Sequence, residues 1–576
     1  MYTIVKNSQI VLALLKANNI RHIVINPGTT NIPITQWVQK DPFFTCYSVV
    51  DERSAMYFAI GLYLELGVPV ATTCTSAQAT RNYIPGLTEA FYKHVPILAI
   101  TVSKHPRFTD QEYMQAPNQI SLPSDAVKRT FALPYISNMH DELHCERLVN
   151  EAILELTHRV YGPVQLNLPM LDTEIRSVIK TDLPKVRIIR RYMEWEKWDV
   201  SLANRKIMIV VGESRPFTEK QIKAIENFTE SHNAFVYVNH LSNYHGKYSI
   251  RANLALTVMS NDIFQVYKPD ILLTIGGQTG DYPLFGTLSA GEKFDFEHWR
   301  ISEDGNVVDT YDKLTKVFEC SFENFFNRMT NDNMTEHSFY NSWNELVNSV
   351  AIPDDLSFSA TYLAQQLHRL IPHGSYLNLA ILNSLRCWNW FPVDKSITCY
   401  SNVAAFGIDG CMSVLLGQSV STDRLCFLVI GDLAFFYDMN SLGIRHLKNN
   451  IRILLVNNGG GIEFKLANDE LRQQVDLDSF ISAFGHYKGG AKGWAEANDF
   501  KYLTASTKEN FLSNVNEFVS QGRQSIIFEV FVNPENEYNI YQTIIKTNRK
   551  ESLLKQGARS LLGEEGIKKL KAILKK

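Results

Sequence analysis

Two apolar runs end in residues whose oxygen atoms could share a cation. LCFLVIGD closes on Gly431-Asp432, and RILLVNNGGG closes on Asn457-Asn458 followed by Gly459, Gly460 and Gly461. Asp432 and Asn458 stand twenty-six residues apart, room for one helix and one returning strand, so they are expected on adjacent strand ends. One carboxylate, one amide oxygen and a backbone carbonyl are hard ligands too few to fill an octahedron. Mg²⁺ is typically held this way when phosphate oxygens complete its shell. The glycines let a backbone approach those phosphates closely.

The elements that must position these residues are legible as short Val/Ile/Leu-rich runs, each closed by a turn residue and followed by a helical pattern, the signature of buried parallel strands in α/β units. One set holds IRHIVINPG from Ile20, PVATTCTS from Pro69, VPILAITV from Val95 and VQLNLPM from Val164. The second holds KIMIVVGES from Lys206, AFVYVNHL from Ala234 and DILLTIGG from Asp270. The third holds SITCYSN from Ser396, the two runs above, and SIIFEVFV from Ser525. The expected fold is three doubly wound α/β domains with mostly parallel sheets, over 1–185, 200–335 and 355–548, with a basic helical tail over 549–576. In such sheets ligands bind beyond the carboxyl ends of the strands.

The 576 residues carry 57 basic against 60 acidic side chains, a net charge of −3, which offers no global field for nucleic acid or an anionic membrane. The eight cysteines are scattered without a CxxC pair and read as core residues of a reduced compartment. No run approaches a membrane-spanning length of about 18 apolar residues. The expectation is a cytoplasmic protein without nucleic-acid or membrane partners. VVGESRP and TIGGQTG lack the glycine spacing of a dinucleotide fingerprint, which disfavours a dehydrogenase.

The Gly-Asp to Asn-Asn block resembles the signature of thiamine-diphosphate enzymes. The resemblance implies Asp432, Asn458 and the Gly460 carbonyl as Mg²⁺ ligands, with Gly431, Leu433 and Ile462 beside the cofactor. It also requires an acid, in the first domain, hydrogen-bonded to the cofactor's aminopyrimidine. CYSVVDERSAMYFAIGLYLELG supplies Glu52, at a strand end about to enter a helix, although Asp and Glu are also favoured there as first-turn residues. VDERSAMYFAIGL, CTSAQATRNYIPGLTEA, PILAITVSKHP, SNVAAFGIDG, GDLAFFYDMNSL and VNNGGGIEF, in this order, resemble the blocks of the menaquinone-pathway SEPHCHC synthase family to about residue 545. Ile408 then matches the apolar wedge that bends the cofactor, and Asn402 and Ser384 match polar positions near it. A homodimer or dimer of dimers is implied, one subunit supplying the Glu and another the diphosphate site.

The chain departs from that family where arginines hold isochorismate and 2-oxoglutarate. Thr30, Trp388 and Val403 stand at arginine positions, Asp281-Tyr282 replaces Lys-Arg, and Lys104 replaces another arginine, while Gln119 is kept and Arg386 lies two residues before Trp388. Each lost contact to a buried carboxylate removes about 1.5–3 kcal/mol, so the acidic substrates are expected to bind far more weakly. The leading expectation is decarboxylation of a 2-oxo acid, pyruvate being the simplest, with transfer of the acyl carbanion equivalent to an acceptor. Alternatives are SEPHCHC synthesis itself, simple decarboxylation, and a non-catalytic cofactor-binding protein. Histidines 94, 105 and 446 could move protons, but nothing in their spacing selects one.

Overall fold

All eleven apolar runs contain a strand. The computed structural model describes residues 2–174, 178–179, 182–289, 295–332, 335–467, 480–486 and 489–548, and the tail expected over 549–576 lies outside them. By contact density the chain forms two compact units, 1–193 with 305–317, and 194–304 with 318 onward.

The first unit is built on six parallel strands in the order Thr45–Ser48, His22–Ile25, Val70–Cys74, Ile97–Lys104, Val164–Met170, Thr130–Ala132. Apolar layers cover both faces, one including Leu12, Leu98 and Val149, the other Ala55, Met56, Leu87 and Ala99. Burial on both faces is why the strands read as continuous rather than alternating runs. The order reverses direction between His22–Ile25 and Val70–Cys74, a crevice of the kind that receives ligands. Helix Glu52–Leu66 lies against the second layer through Ala55, Met56, Ala59 and Ile60, at helical spacing, and stops at Gly67 with φ +67°. A Cβ at Gly86 would come within 2.4 Å of Met56 Cβ, so only glycine permits this approach.

In the second unit, the strands Ser249–Ile250, Ala234–Tyr237, Ile207–Val211, Ile271–Ile275 and Glu297–Ile301 form a parallel sheet in that order. A further sheet of six parallel strands runs Thr398–Tyr400, Tyr376–Leu379, Cys426–Gly431, Ile451–Asn457, Ile526–Phe531, Lys501–Ala505. Its reversal point falls between Tyr376–Leu379 and Cys426–Gly431. The molecule thus has three mostly parallel sheets with alternating helices. Among the described residues no helix is long and apolar enough to cross a membrane.

Helix Pro534–Asn548 closes one face of the last sheet through Ile540 and Ile544, and it carries one acid inward. Glu537 accepts the Ala360 amide and is hydrogen-bonded by Asn383. Burial pushes its carboxyl from 4.5 up to about 7. Between those values the folded chain holds a proton that the unfolded chain releases, so Glu537 lowers stability as pH rises through the window. Glu537→Gln keeps an acceptor for the Ala360 amide and carries no charge. Its Tm should match the parent's near pH 4.5 and exceed it above pH 7, the gain in unfolding free energy reaching up to about 3 kcal/mol at 1.36 kcal/mol per pKa unit. Thermal denaturation at both pH values checks this, and an equal offset at both would contradict it.

Candidate cofactor and active site

Strands Cys426–Gly431 and Ile451–Asn457 are parallel neighbours in register, Gly431 opposite Val456. Asp432 opens the helix after the first, and Asn458 follows the second, so the two side chains leave adjacent strand ends as their spacing requires. Both are buried. Burial raises the Asp432 carboxyl to about 6, offset in part by the amides of Leu433 and Gly459. Asn458 Oδ1 accepts the Gly460 amide at 3.2 Å. Gly459 has φ +85°, and a Cβ on Gly460 would lie 2.7 Å from the Phe484 ring, so both positions require glycine. Ile462 is buried just after the loop, whereas Gly431 and Leu433 are half-buried or better beside Asp432.

Glu529 shapes this loop, and the motif search missed it. Fully buried on strand Ile526–Phe531, it accepts Asn457 Nδ2 at 2.7 Å, the Ala491 amide at 2.8 Å and the Tyr502 hydroxyl at 2.8 Å. It thereby fixes the residue next to Asn458. The readable signal was an acid inside the apolar run SIIFEVFV.

At the start of helix Glu52–Leu66, the cap does not fall to Glu52, which stands as an acid in the first turn. Capping is done by Asp51, whose Oδ1 accepts the amides of Arg53 at 2.8 Å and Ser54 at 3.3 Å. Glu52 is half-buried, and its Oε2 accepts from Asn82 Nδ2 at 3.4 Å. The carboxylate is therefore left available. The run CYSVV is strand only as far as Ser48, and Val49-Val50 form the bridge to the cap.

Thr30 and Gln119 are both buried around the reversal point of the first sheet. Thr30 Oγ1 lies 2.6 Å from Thr75 Oγ1 and accepts the Ser76 amide. Gln119 accepts the amide of Ala77, a non-glycine residue at φ +67°, and donates to Val102 O and Asn167 Oδ1. Strained residues of this kind persist only when their surroundings hold them, and they concentrate at functional loops. Lys104 is ion-paired with Asp172.

In the second unit Ile408 is half-buried and touches the apolar layers on both sides of the last sheet. Asn402 lines a cavity of about 130 Å³ with Glu213, Asn378, Ser401 and Cys411, and burial raises the Glu213 carboxyl. Ser384 is buried on helix Asn383–Asn389, which starts after Leu382 at φ +66°. Trp388 and Val403 belong to the core cluster. Trp388 O accepts His240 Nε2–H at 2.8 Å, and Val403 packs where a Cβ on Gly280 would meet it. Tyr282 and Arg386, by contrast, line one open cavity of about 610 Å³, where Arg386 is ion-paired with Glu463. Asp281 is no surface charge: it caps helix Tyr282–Leu288 and accepts from Tyr237 and Asn253. Of the four residues that the sequence places at substrate positions in the second unit, Tyr282 and Arg386 line one cavity, while Trp388 and Val403 are packed in the core.

The donor set fits a magnesium-bridged diphosphate. A buried carboxylate whose partners among the described residues are backbone amides, an amide oxygen on the neighbouring strand end, and a glycine loop offer anionic and neutral oxygens to a cation and close backbone access to phosphate. Comparison with known proteins agrees. Residues 5–122 match the family described as thiamine pyrophosphate enzyme, N-terminal TPP binding domain. The chain is 33% identical to the 2-succinyl-5-enolpyruvyl-6-hydroxy-3-cyclohexene-1-carboxylate synthase of Bacteroides thetaiotaomicron over 94% of its length and 98% of the relative's. It is 34% identical to the protein of the same name from Phocaeicola vulgatus, covering 93% and 97%, and 27% identical to that from Flavobacterium psychrophilum, covering 92% and 96%. The strand-end acid and amide, the glycine loop and the freed Glu52 thus belong to a thiamine-diphosphate-dependent enzyme of the 2-succinyl-5-enolpyruvyl-6-hydroxy-3-cyclohexene-1-carboxylate (SEPHCHC) synthase family.

Proposed function

We propose that the protein decarboxylates a 2-oxo acid and transfers the acyl carbanion equivalent to an acceptor carbonyl. Thiamine diphosphate, when bound, supplies a carbon that stabilises the carbanion left by loss of CO₂. Asp432, Asn458 and the Gly460 carbonyl would hold Mg²⁺, and Gly459–Gly461 would give the diphosphate close backbone contact. Glu52 would hold a proton at its carboxyl for the aminopyrimidine side of the cofactor. Ile408 would pack against the cofactor, and Asn402 and Ser384 would contribute polar contacts near it. The observation that carries this reading is the division of labour at Asp51 and Glu52: a carboxylate relieved of capping beside a strand end is poised for proton transfer.

Trp388 and Val403, at positions where the resemblance implies arginines, are packed in the core. That favours a donor without a distal carboxylate, with pyruvate the simplest. A second reading, SEPHCHC synthesis from 2-oxoglutarate and isochorismate, is favoured by the name carried by relatives of 32–34% identity.

Full-length protein reconstituted with thiamine diphosphate and Mg²⁺ should release CO₂ from pyruvate faster than from 2-oxoglutarate. Preference for 2-oxoglutarate, with SEPHCHC formed on adding isochorismate, would establish the second reading instead. Glu52→Gln should lower kcat by about 10²–10⁴, the range for a positioned acid or base, while binding the cofactor normally. Asp432→Asn should instead raise the Mg²⁺ concentration needed for cofactor binding by at least about tenfold, read by calorimetry. Equal effects of the two substitutions on cofactor binding would refute the assignment of roles.

The exposed side chains Val50, Tyr57, Phe58 and Leu64 around Glu52 support self-association, since apolar groups so placed mark interfaces. Sedimentation should give a dimer or tetramer, and Phe58→Glu should shift it toward monomer with loss of activity. A fully active monomer would rule this out.

A further inference from the structure

The cavity at Arg386 lies beyond the carboxyl ends of Tyr376–Leu379 and Ile451–Asn457, the two strands that flank the Asp432 strand. Its helix Asn383–Asn389 follows the first of these, and the helix that carries Glu463 follows the glycine loop after the second. Its volume is about 610 Å³, with Tyr282, Leu382, Phe464 and Tyr541 in its walls. A recess of about 20 Å³, space for one water or one substituent, opens beside Asn253 and Asp281 and shares Tyr282 and Arg386 with the main space.

The electrostatics of this space are unlike those of a carboxylate site. Arg386 is the only cation among the described residues that line either part, and it is already occupied. Its guanidinium is paired with Glu463, donates to Asn383 Oδ1 at 3.4 Å, and sits 5.9 Å from the Tyr541 ring centre. Asp281, in the recess, is a second acid. A carboxylate entering here would meet two acids and no unpaired cation. The free hydrogen-bonding capacity runs the other way. Asn253 is only 4% exposed, and its Nδ2 is engaged by Asp281 and by the Tyr237 hydroxyl at 2.9 Å, leaving buried Oδ1 without a partner. Glu463 Oε2 is also buried and without a partner. Two unmatched acceptors ask for ligand donors, because a buried polar atom left unpaired costs about 1–3 kcal/mol. The half-exposed rings of Tyr282 and Phe464 supply flat apolar faces beside them.

Unpaired acceptor oxygens on two lining residues of an aromatic-walled cleft, with no unpaired cation among its described residues, fit the hydroxyls and C–H faces of a sugar. We propose that this cavity is the acceptor site, and that it takes an uncharged polyhydroxylated aldehyde or ketone rather than an acid. The inference rests on the decarboxylation and transfer reading above. The balanced step is R–CO–COOH plus R′R″C=O giving CO₂ plus R–CO–C(OH)R′R″. The bond between C1 and C2 of the acid breaks, a bond forms from its C2 to the acceptor carbonyl carbon, and the acid proton ends on the new hydroxyl.

The test needs no turnover. Saturation-transfer NMR on the full-length chain, with D-xylulose and succinate as probes, should show xylulose bound and succinate unbound. Phe464→Ala, at an exposed ring, and Asn253→Leu should each weaken xylulose binding by at least about tenfold. Glu463→Gln frees Arg386 and should make succinate binding appear. Should Asn253→Leu fail to fold, Phe464→Ala and Glu463→Gln carry the test. Succinate binding the parent as well as xylulose does, no transfer to xylulose, or variants indistinguishable from the parent would each overturn the proposal. CO₂ release from pyruvate without acceptor tests the underlying reaction separately: a chain that binds xylulose but releases no CO₂ retires the reaction and leaves the site.

Discussion

A carboxylate enclosed at the end of a parallel strand is unstable as an anion unless something positive or polar faces it, and the last sheet of this protein is arranged around that constraint. Asp432 is buried, its affinity for a proton raised, and its partners among the described residues are backbone amides. A divalent cation relieves this imbalance more effectively than another hydrogen bond, because its charge acts where water is excluded. The neighbouring strand end places Asn458 beside it, a neutral oxygen that would add coordination to such a cation without adding charge. Glu529 satisfies itself with three donors and so locks Asn457 and the following turn without competing for the cation. Gly459 and Gly460 keep that turn in a conformation and at a closeness to Phe484 that a side chain would forbid.

The first sheet solves a different problem with the same topology. Its Asp51-Glu52 pair gives the cap to the first acid and leaves the second without that task. Asp51, extended and one residue before the helix, has the geometry to accept amides of the first turn, and Glu52, inside the helix, does not need to. Around the crevice, Thr30, Thr75, Gln119 and Asn167 are tied into hydrogen bonds that hold strained Ala77. Polar residues buried there serve the loop's shape first, and chemistry is left to groups with unmatched capacity.

That distinction also governs the substrate end. A guanidinium recognises a carboxylate only if it is not already paired, and Arg386 is paired with Glu463. Asp281, drawn inward as a helix cap, adds a second acid at the recess, and Tyr282 lines both the recess and the main cavity.

Much of the fold was readable. Eleven apolar runs became strands because strands buried on both faces must be apolar throughout, and a turn residue must follow wherever the chain leaves the sheet. Short or interrupted strands escaped: Tyr376–Leu379 carries buried Asn378, Glu297–Ile301 carries buried His298, and neither looks apolar without its partners in view. The positions of Asp432, Asn458 and Glu52 were legible because they depend on local context, a strand end and its neighbour at a fixed spacing. Sequence alone determined three α/β sheets, the acid and amide at adjacent strand ends and the acid at a helix start, since these follow from hydrophobic period and the next few residues. Only the tertiary structure decided that Asp51 frees Glu52, that Glu529 braces the glycine loop, that Trp388 and Val403 fill core, and that Arg386 is neutralised by a residue seventy-seven positions away. Burial and pairing are properties of what comes together in space, and residue types along a chain do not contain them.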